Sequence, residues 1–177
     1  MRKNRLLHIP ILIVLGIVAL TISSKVSLDL QPVPITFQSA VVMLLGIILG
    51  GRLGALTVLI WLVIAGLGFE VLSGSKSGLG ALTGQSAGYL FAFVATAYLA
   101  GQLPVSRQFG AVITRFGGAI LLHLLILAIG AGWLSVFVGI DTAIRNGFLP
   151  FIFGGLVKSV IVAAVPAFLP KRLDLRY

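Results

Sequence analysis

The charges of this chain stand at the ends of long apolar stretches, and that spacing constrains the fold more than any motif does. Charge-free runs cover residues 6–24, 30–51, 53–69, 77–106 and 116–140, and Lys158 is the one charge within 146–170. A helix needs about 17–25 apolar residues to cross ~30 Å of hydrocarbon. A succession of such runs describes a polytopic membrane protein. Composition agrees: 59% hydrophobic against 10% charged residues would leave large apolar patches on any compact fold in water.

The runs predict six helices, near residues 6–23, 37–51, 53–68, 87–103, 114–133 and 147–168. The expected architecture is an all-α membrane protein, a compact six-helix bundle that spans residues 1–177 as one domain. The opening Met1-Arg2-Lys3-Asn4-Arg5 resembles the start of a secretory signal. The apolar run behind it is longer than a signal core and meets no A-x-A site, so a retained first helix is expected. The net charge of +9 does not point to nucleic acid, because the basic residues flank the apolar runs instead of forming one patch.

Charge also orients the bundle. Arg2, Lys3, Arg5, Arg52, Arg107, Arg115, Lys171, Arg172 and Arg176 fall at the termini and even-numbered loops, and only Lys25, Lys76 and Arg145 in the odd-numbered ones. Excess Lys and Arg mark the cytoplasmic side, so both termini are expected in the cytoplasm of a cell that carries the protein in its plasma (inner) membrane. Three of the four acids, Asp29, Glu70 and Asp141, fall in the odd loops. Those outer loops, 24–36, 69–86 and 134–146, are the longer ones. They predict an outward-facing pocket beneath flexible lids, with Gly51-Arg52-Leu53 forcing a tight antiparallel pair on the other side. Small residues recur four apart at Gly46/Gly50, Gly50/Gly54, Ala97/Gly101 and Ala128/Gly132, spacing that permits close helix contact.

Several chemistries are excluded. The chain has no cysteine, which removes disulfides, thiolate catalysis and Cys-based metal sites. Gly74-Ser75-Lys76-Ser77-Gly78-Leu79-Gly80 lacks the spacing of a phosphate loop, so no ATP site is expected. Four carboxylates, none paired within a span, offer neither a metal cluster nor an acid–base pair. Ser135 and Asp141 form no nucleophile constellation. An enzyme is not expected, and neither is a cofactor. His123, mid-way along the fifth helix, is expected to hydrogen-bond a neighbouring helix, with contact to a ligand as the alternative.

The polar residues that remain inside are few. Lys158 lies about eleven residues into the last helix, roughly 16 Å along it, where a cation costs roughly 2.5–3.5 kcal/mol. No acid lies within one turn of it, so it is expected to face a polar cavity and await an anion. Pro32-Val33-Pro34-Ile35-Thr36-Phe37-Gln38 leads into the second helix, with Thr36 a candidate N-cap and Gln38 an amide at the bundle edge. Gly84-Gln85-Ser86-Ala87-Gly88-Tyr89 leads into the fourth, bringing small residues, free N–H groups and an aromatic.

Taken with Leu49-Gly50-Gly51-Arg52-Leu53-Gly54-Ala55, the glycine-rich loop, Gly84 to Leu90, Pro150-Phe151 and Lys158, the chain resembles the BioY family. These are biotin-specific substrate-binding subunits, or S components, of energy-coupling factor transporters. The resemblance implies that biotin is the cargo and not a cofactor. It also implies that uptake is powered by a separate transmembrane coupling subunit with two ATPase subunits. It implies further that Thr36, Gln38, Gln85 and Asn146 meet polar edges of the ligand, while Gly88 lets the backbone approach. Trp133 and Tyr89 would then pack on the ring, and Lys158 would answer the carboxylate. Ala19 and Ser23 are the residues that would meet the coupling subunit. Two stretches depart from the family pattern. Gly84-Gln85-Ser86-Ala87-Gly88-Tyr89-Leu90 stands for G-P-T-G-G-Y-L, and Gly155 stands where P-G-D-x-x-K has its aspartate. An S component for another small vitamin, or a ligand-free membrane scaffold, therefore stays open beside biotin.

Overall fold

A backbone in hydrocarbon finds no hydrogen-bond partner except itself, so apolar segments close their own bonds as helices. The computed structural model describes residues 2–28 and 33–168; the side chains of residues 2–7, 28, 75, 167 and 168 are outside that description. Asp29, Pro32 and the C-terminal Lys171, Arg172, Asp174 and Arg176 lie outside the described residues. Helix α1 (Arg2–Lys25) leads into an antiparallel pair, β1 (Ser27–Leu28) and β2 (Ile35–Thr36), in which Ser27 faces Thr36 and Leu28 faces Ile35. Next come α2 (Gln38–Leu49), α3 (Gly51–Gly66), a single 3-10 turn at Ser73–Ser75 and the short α4 (Gly78–Thr83). The chain continues with α5 (Ala87–Ala100), α6 (Phe109–Val138) and α7 (Ile140–Ala143). It ends in a π turn (Ile144–Phe148) and α8 (Leu149–Phe168).

Among the described residues, three stretches, His8–Lys25, Phe109–Val138 and Ile140–Pro166, are long and apolar enough to cross a membrane. Gln38–Leu49, Gly51–Gly66 and Ala87–Ala100 are shorter apolar helices. In the bundle α5 packs against α2, α3 and α6, while α6 packs against α8 and α8 returns to α2. Helix α1 lies along α2 and α3.

Glycine makes the tight places. A Cβ at Gly46 would collide with the Ala97 carbonyl, and one at Gly101 with the backbone of Gly51. One at Gly54 would lie 2.8 Å from the Gly46 Cα. Helices α2, α3 and α5 thus touch backbone to backbone, as the spaced small residues predict for Gly46, Gly54, Ala97 and Gly101. Ala128 and Gly132 are exposed and take no part.

The second half departs from the expected helix bounds. No long loop covers residues 134–146. Helix α6 runs on to Val138, and a single residue, Gly139, separates it from α7. Gly139 has φ 78° and ψ 158°, and Gly50 does the same between α2 and α3 with φ 86° and ψ 155°. Only glycine adopts that region without strain, so one residue reverses the chain where a loop was expected.

Three further expectations change. Thr36 is not the N-cap of α2; Phe37 holds that position without a side-chain cap, because Thr36 is drawn into the strand pair. Ser23 does not face outward toward a partner. It is 5% exposed and its hydroxyl donates to the Leu20 carbonyl. Arg115, a loop cation in the charge count, is fully buried within α6. Its guanidinium donates to the carbonyls of Ala163 at 2.9 Å, Pro104 at 2.8 Å and Ser106 at 2.7 Å. Such a fork ties the end of α8 and the α5–α6 connection to α6.

Candidate functional site

At the opposite end from Arg115, the helices diverge around a cavity of about 700 Å³, its open mouth included. One wall is Thr36 of β2 and the start of α2, with Gln38 and Ser39; another is the start of α5, with Tyr89, Leu90 and Phe93, and Ser86 just before it. Helix α6 contributes His123, Ile126 and Leu127, and α8 contributes Phe151 and Lys158. Val33, Pro34, Leu72, Ser73 and Lys76 close the rim.

The rim is tied down by α1. Ser24 donates to the Val71 carbonyl at 2.8 Å and Lys25 to that of Leu72 at 2.9 Å. The segment expected to be a loose lid therefore carries a 3-10 turn and α4, and it sets Leu72 and Ser73 into the cavity with only 3% and 6% exposed.

Electrostatically the lining is one-sided. It holds two lysines and, among the described residues, no carboxylate. Lys158 Nζ donates to the Thr36 carbonyl at 2.9 Å and to Ser39 Oγ at 3.0 Å. Both partners are neutral, so the ammonium is solvated by dipoles but not matched in charge. The N-termini of α2 and α5 add their positive ends to the same space. The arrangement favours an anion.

Apolar surface lines the rest. Tyr89 lies 6.3 Å from Phe151, their planes 29° apart, and its hydroxyl donates to the Gly147 carbonyl. Two buried polar atoms of the lining residues find no partner, the Gln38 Nε2 amide and His123 Nε2. Gln38 Oε1 already accepts from Thr36 Oγ1 at 2.8 Å.

Of the candidate residues, Thr36, Gln38, Tyr89 and Lys158 line the cavity. Gln85 and Asn146 are exposed outside it. Gly88 is buried where a Cβ would collide with Trp133. Trp133 lies outside the lining, its indole N–H donating to Gly84 at 3.0 Å and its ring beside Phe91 and Phe137. The pair thus holds the approach to α5 in place. The N–H groups of Ala87 and Tyr89 are not free either; they bond Gly84 and Ser86 within the turn. Sequence reasoning missed Ser39, Phe93, Ile126, Leu127 and Phe151; His123 makes the expected bond to a neighbouring helix, at Ser159, and its ring also lines the cavity. Helical spacing was the available signal: 86, 89, 90 and 93, then 123, 126 and 127, then 151 and 158, each mark one helix face.

The sequence matches the family model of the BioY family over residues 1–174. The chain belongs to that family. A probable biotin transporter BioY of Pyrococcus horikoshii is 33% identical over 163 residues, which cover 92% of this chain and 94% of the relative. The biotin transporter BioY of Rhizobium etli is 36% identical over 159 residues, 83% of each chain. Among solved structures, the S-component for biotin from an ECF-type ABC transporter superposes with a TM-score of 0.72 at 26% identity, covering 94% of this chain and 90% of that one. BioY proteins are transporters and not enzymes, and the chain is a multi-pass membrane protein.

Proposed function

We propose that this chain captures biotin from outside the cell and delivers it across the membrane as the substrate-binding subunit of an energy-coupling factor transporter. The observation that carries this reading is a cavity with two lysines, two helix N-termini and no carboxylate among the described lining residues. Such a lining suits the valerate carboxylate of biotin, and Tyr89, Phe93 and Phe151 offer apolar surface to its bicycle. The relatives named biotin transporters and the S-component for biotin support the same cargo.

In this reading six helices cross the plasma membrane with both termini in the cytoplasm, supported by the distribution of Lys and Arg. Transport is driven by a coupling transmembrane subunit and two ATPase subunits, supported by the ECF-type transporter from which the solved S-component comes. Reporter fusions at both ends test the topology; one end reporting outside removes the six-span arrangement.

Titration of purified protein in lipid nanodiscs with labelled biotin tests the cargo. Saturable binding is expected, with a loss of at least about tenfold in Lys158→Ala, because a charge-assisted hydrogen bond is lost. Absence of saturable binding by the unmodified protein rejects biotin. Gly155, buried beside His123 where the family pattern has aspartate, favours a second reading, a different small carboxylated vitamin. Thermal stabilisation by such a compound in place of biotin identifies it.

A further inference from the structure

Resting on the biotin reading, we infer that His123 is the acceptor that receives a ureido N–H of the ligand, and so selects ring systems that carry a donor at that place. His123 is 5% exposed in the middle of α6. Its Nδ1 lies 3.0 Å from the Ala119 carbonyl and 3.1 Å from Ser159 Oγ. A carbonyl only accepts, and the Ser159 hydroxyl already gives its hydrogen to Gly155 at 2.8 Å. The imidazole proton therefore sits on Nδ1, where both neighbours accept it. A neutral imidazole with its proton there leaves Nε2 as a bare acceptor. That atom is buried without a partner, and the ring lines the cavity.

The unmet need is specific. A carboxylate has no hydrogen to give Nε2, so the anion answered by Lys158 does not satisfy it. The other orphan in the cavity, Gln38 Nε2, is a donor, since its amide oxygen is taken by Thr36. One orphan acceptor and one orphan donor match the N–H and C=O of a cyclic urea. Gly155 leaves room for the ring: a Cβ there would lie 3.3 Å from His123 Cβ and 3.4 Å from Cγ, close enough to ask for a small shift.

Calorimetric titration of the full chain in nanodiscs, with biotin and with an analogue methylated on both ureido nitrogens, tests the assignment. His123→Asn retains a polar atom near Nδ1 and removes the unpartnered Nε2. Its affinity for biotin is expected to fall about tenfold, the scale of one buried hydrogen bond. The preference of the unmodified protein for biotin over the methylated analogue should shrink by the same factor. His123→Gln, whose amide oxygen reaches toward the Nε2 position, should recover part of both. Biotin binding by His123→Asn equal to that of the unmodified protein overturns the inference and leaves the function standing. Equal losses for both ligands, or no discrimination by the unmodified protein, overturn it as well. No biotin binding by the unmodified protein removes the functional reading and this inference together.

Discussion

The Tyr89 hydroxyl donates to the Gly147 carbonyl at 2.7 Å, joining groups 58 residues apart in sequence. Gly147 belongs to the π turn Ile144–Phe148, and such turns loosen the local hydrogen-bond ladder, often at functional sites. Tyr89 reaches this carbonyl because two glycines let it: a Cβ at Gly130 would collide with its ring, and one at Gly147 would lie 2.5 Å from its hydroxyl. The same ring lies against Phe151, so the latch also sets an aromatic wall of the cavity.

Removing the latch should therefore weaken fold and site together. Tyr89→Phe removes the bond to the Gly147 carbonyl and is expected to cost about 0.5–1.5 kcal/mol. Gly147→Ala overpacks the same contact at a cost of about 1–3 kcal/mol. Thermal unfolding with and without biotin measures both, and an unchanged midpoint in Tyr89→Phe contradicts the latch.

Replacing the ligand carboxylate should reveal the role of Lys158. The unmodified protein is expected to bind biotin at least about tenfold more tightly than biotinamide, whereas Lys158→Met should bind the two alike. Lys76→Met should have a smaller, salt-dependent effect, because Lys76 is exposed at the rim and screened there. Competition binding at two ionic strengths gives both comparisons.

The small-residue seam allows a paired prediction. Gly101→Ala drives a methyl into the backbone of Gly51, which cannot retract, and should destabilise by about 1–3 kcal/mol. Gly132→Ala meets nothing within 4 Å and should gain the helix propensity of alanine, up to about 1 kcal/mol. Melting temperatures of opposite sign relative to the unmodified protein are the expected result.

At the other end of the bundle, Arg115→Met removes the bonds to the carbonyls of Ala163, Pro104 and Ser106. A loss of about 3 kcal/mol is expected, and Arg115→Lys should recover only part of it because an ammonium lacks the planar fork. Biotin affinity of the folded fraction should stay unchanged, since Arg115 is remote from the cavity lining. Thermal unfolding together with binding separates the two effects.

How far the sequence could be read differed from segment to segment. The isolation of Lys158 in an apolar run was visible at once, and so was the seam at Gly46, Gly54 and Gly101. Loop length misled at 134–146, because one glycine in a region closed to other residues reverses the chain without a loop. Trp133 was expected at the ligand from the family resemblance and its aromatic character. Which side of α6 it occupies depends on helix rotation, and that rotation sends it outward to Gly84. His123 presented the reverse case, because its inner bond to Ser159 was foreseeable in kind but its free nitrogen was not.

Insertion into a membrane follows from the transfer free energy of each segment, a sum over its own residues, so the chain alone determined that it spans the bilayer and keeps an ammonium there. Convergence of polar atoms has no such local origin. Lys158 meets the Thr36 carbonyl across 122 residues and His123 meets Ser159 across 36. Those meetings depend on how each helix is rotated and shifted against its neighbours. Only the packed bundle decided which donors and acceptors were left open to a ligand.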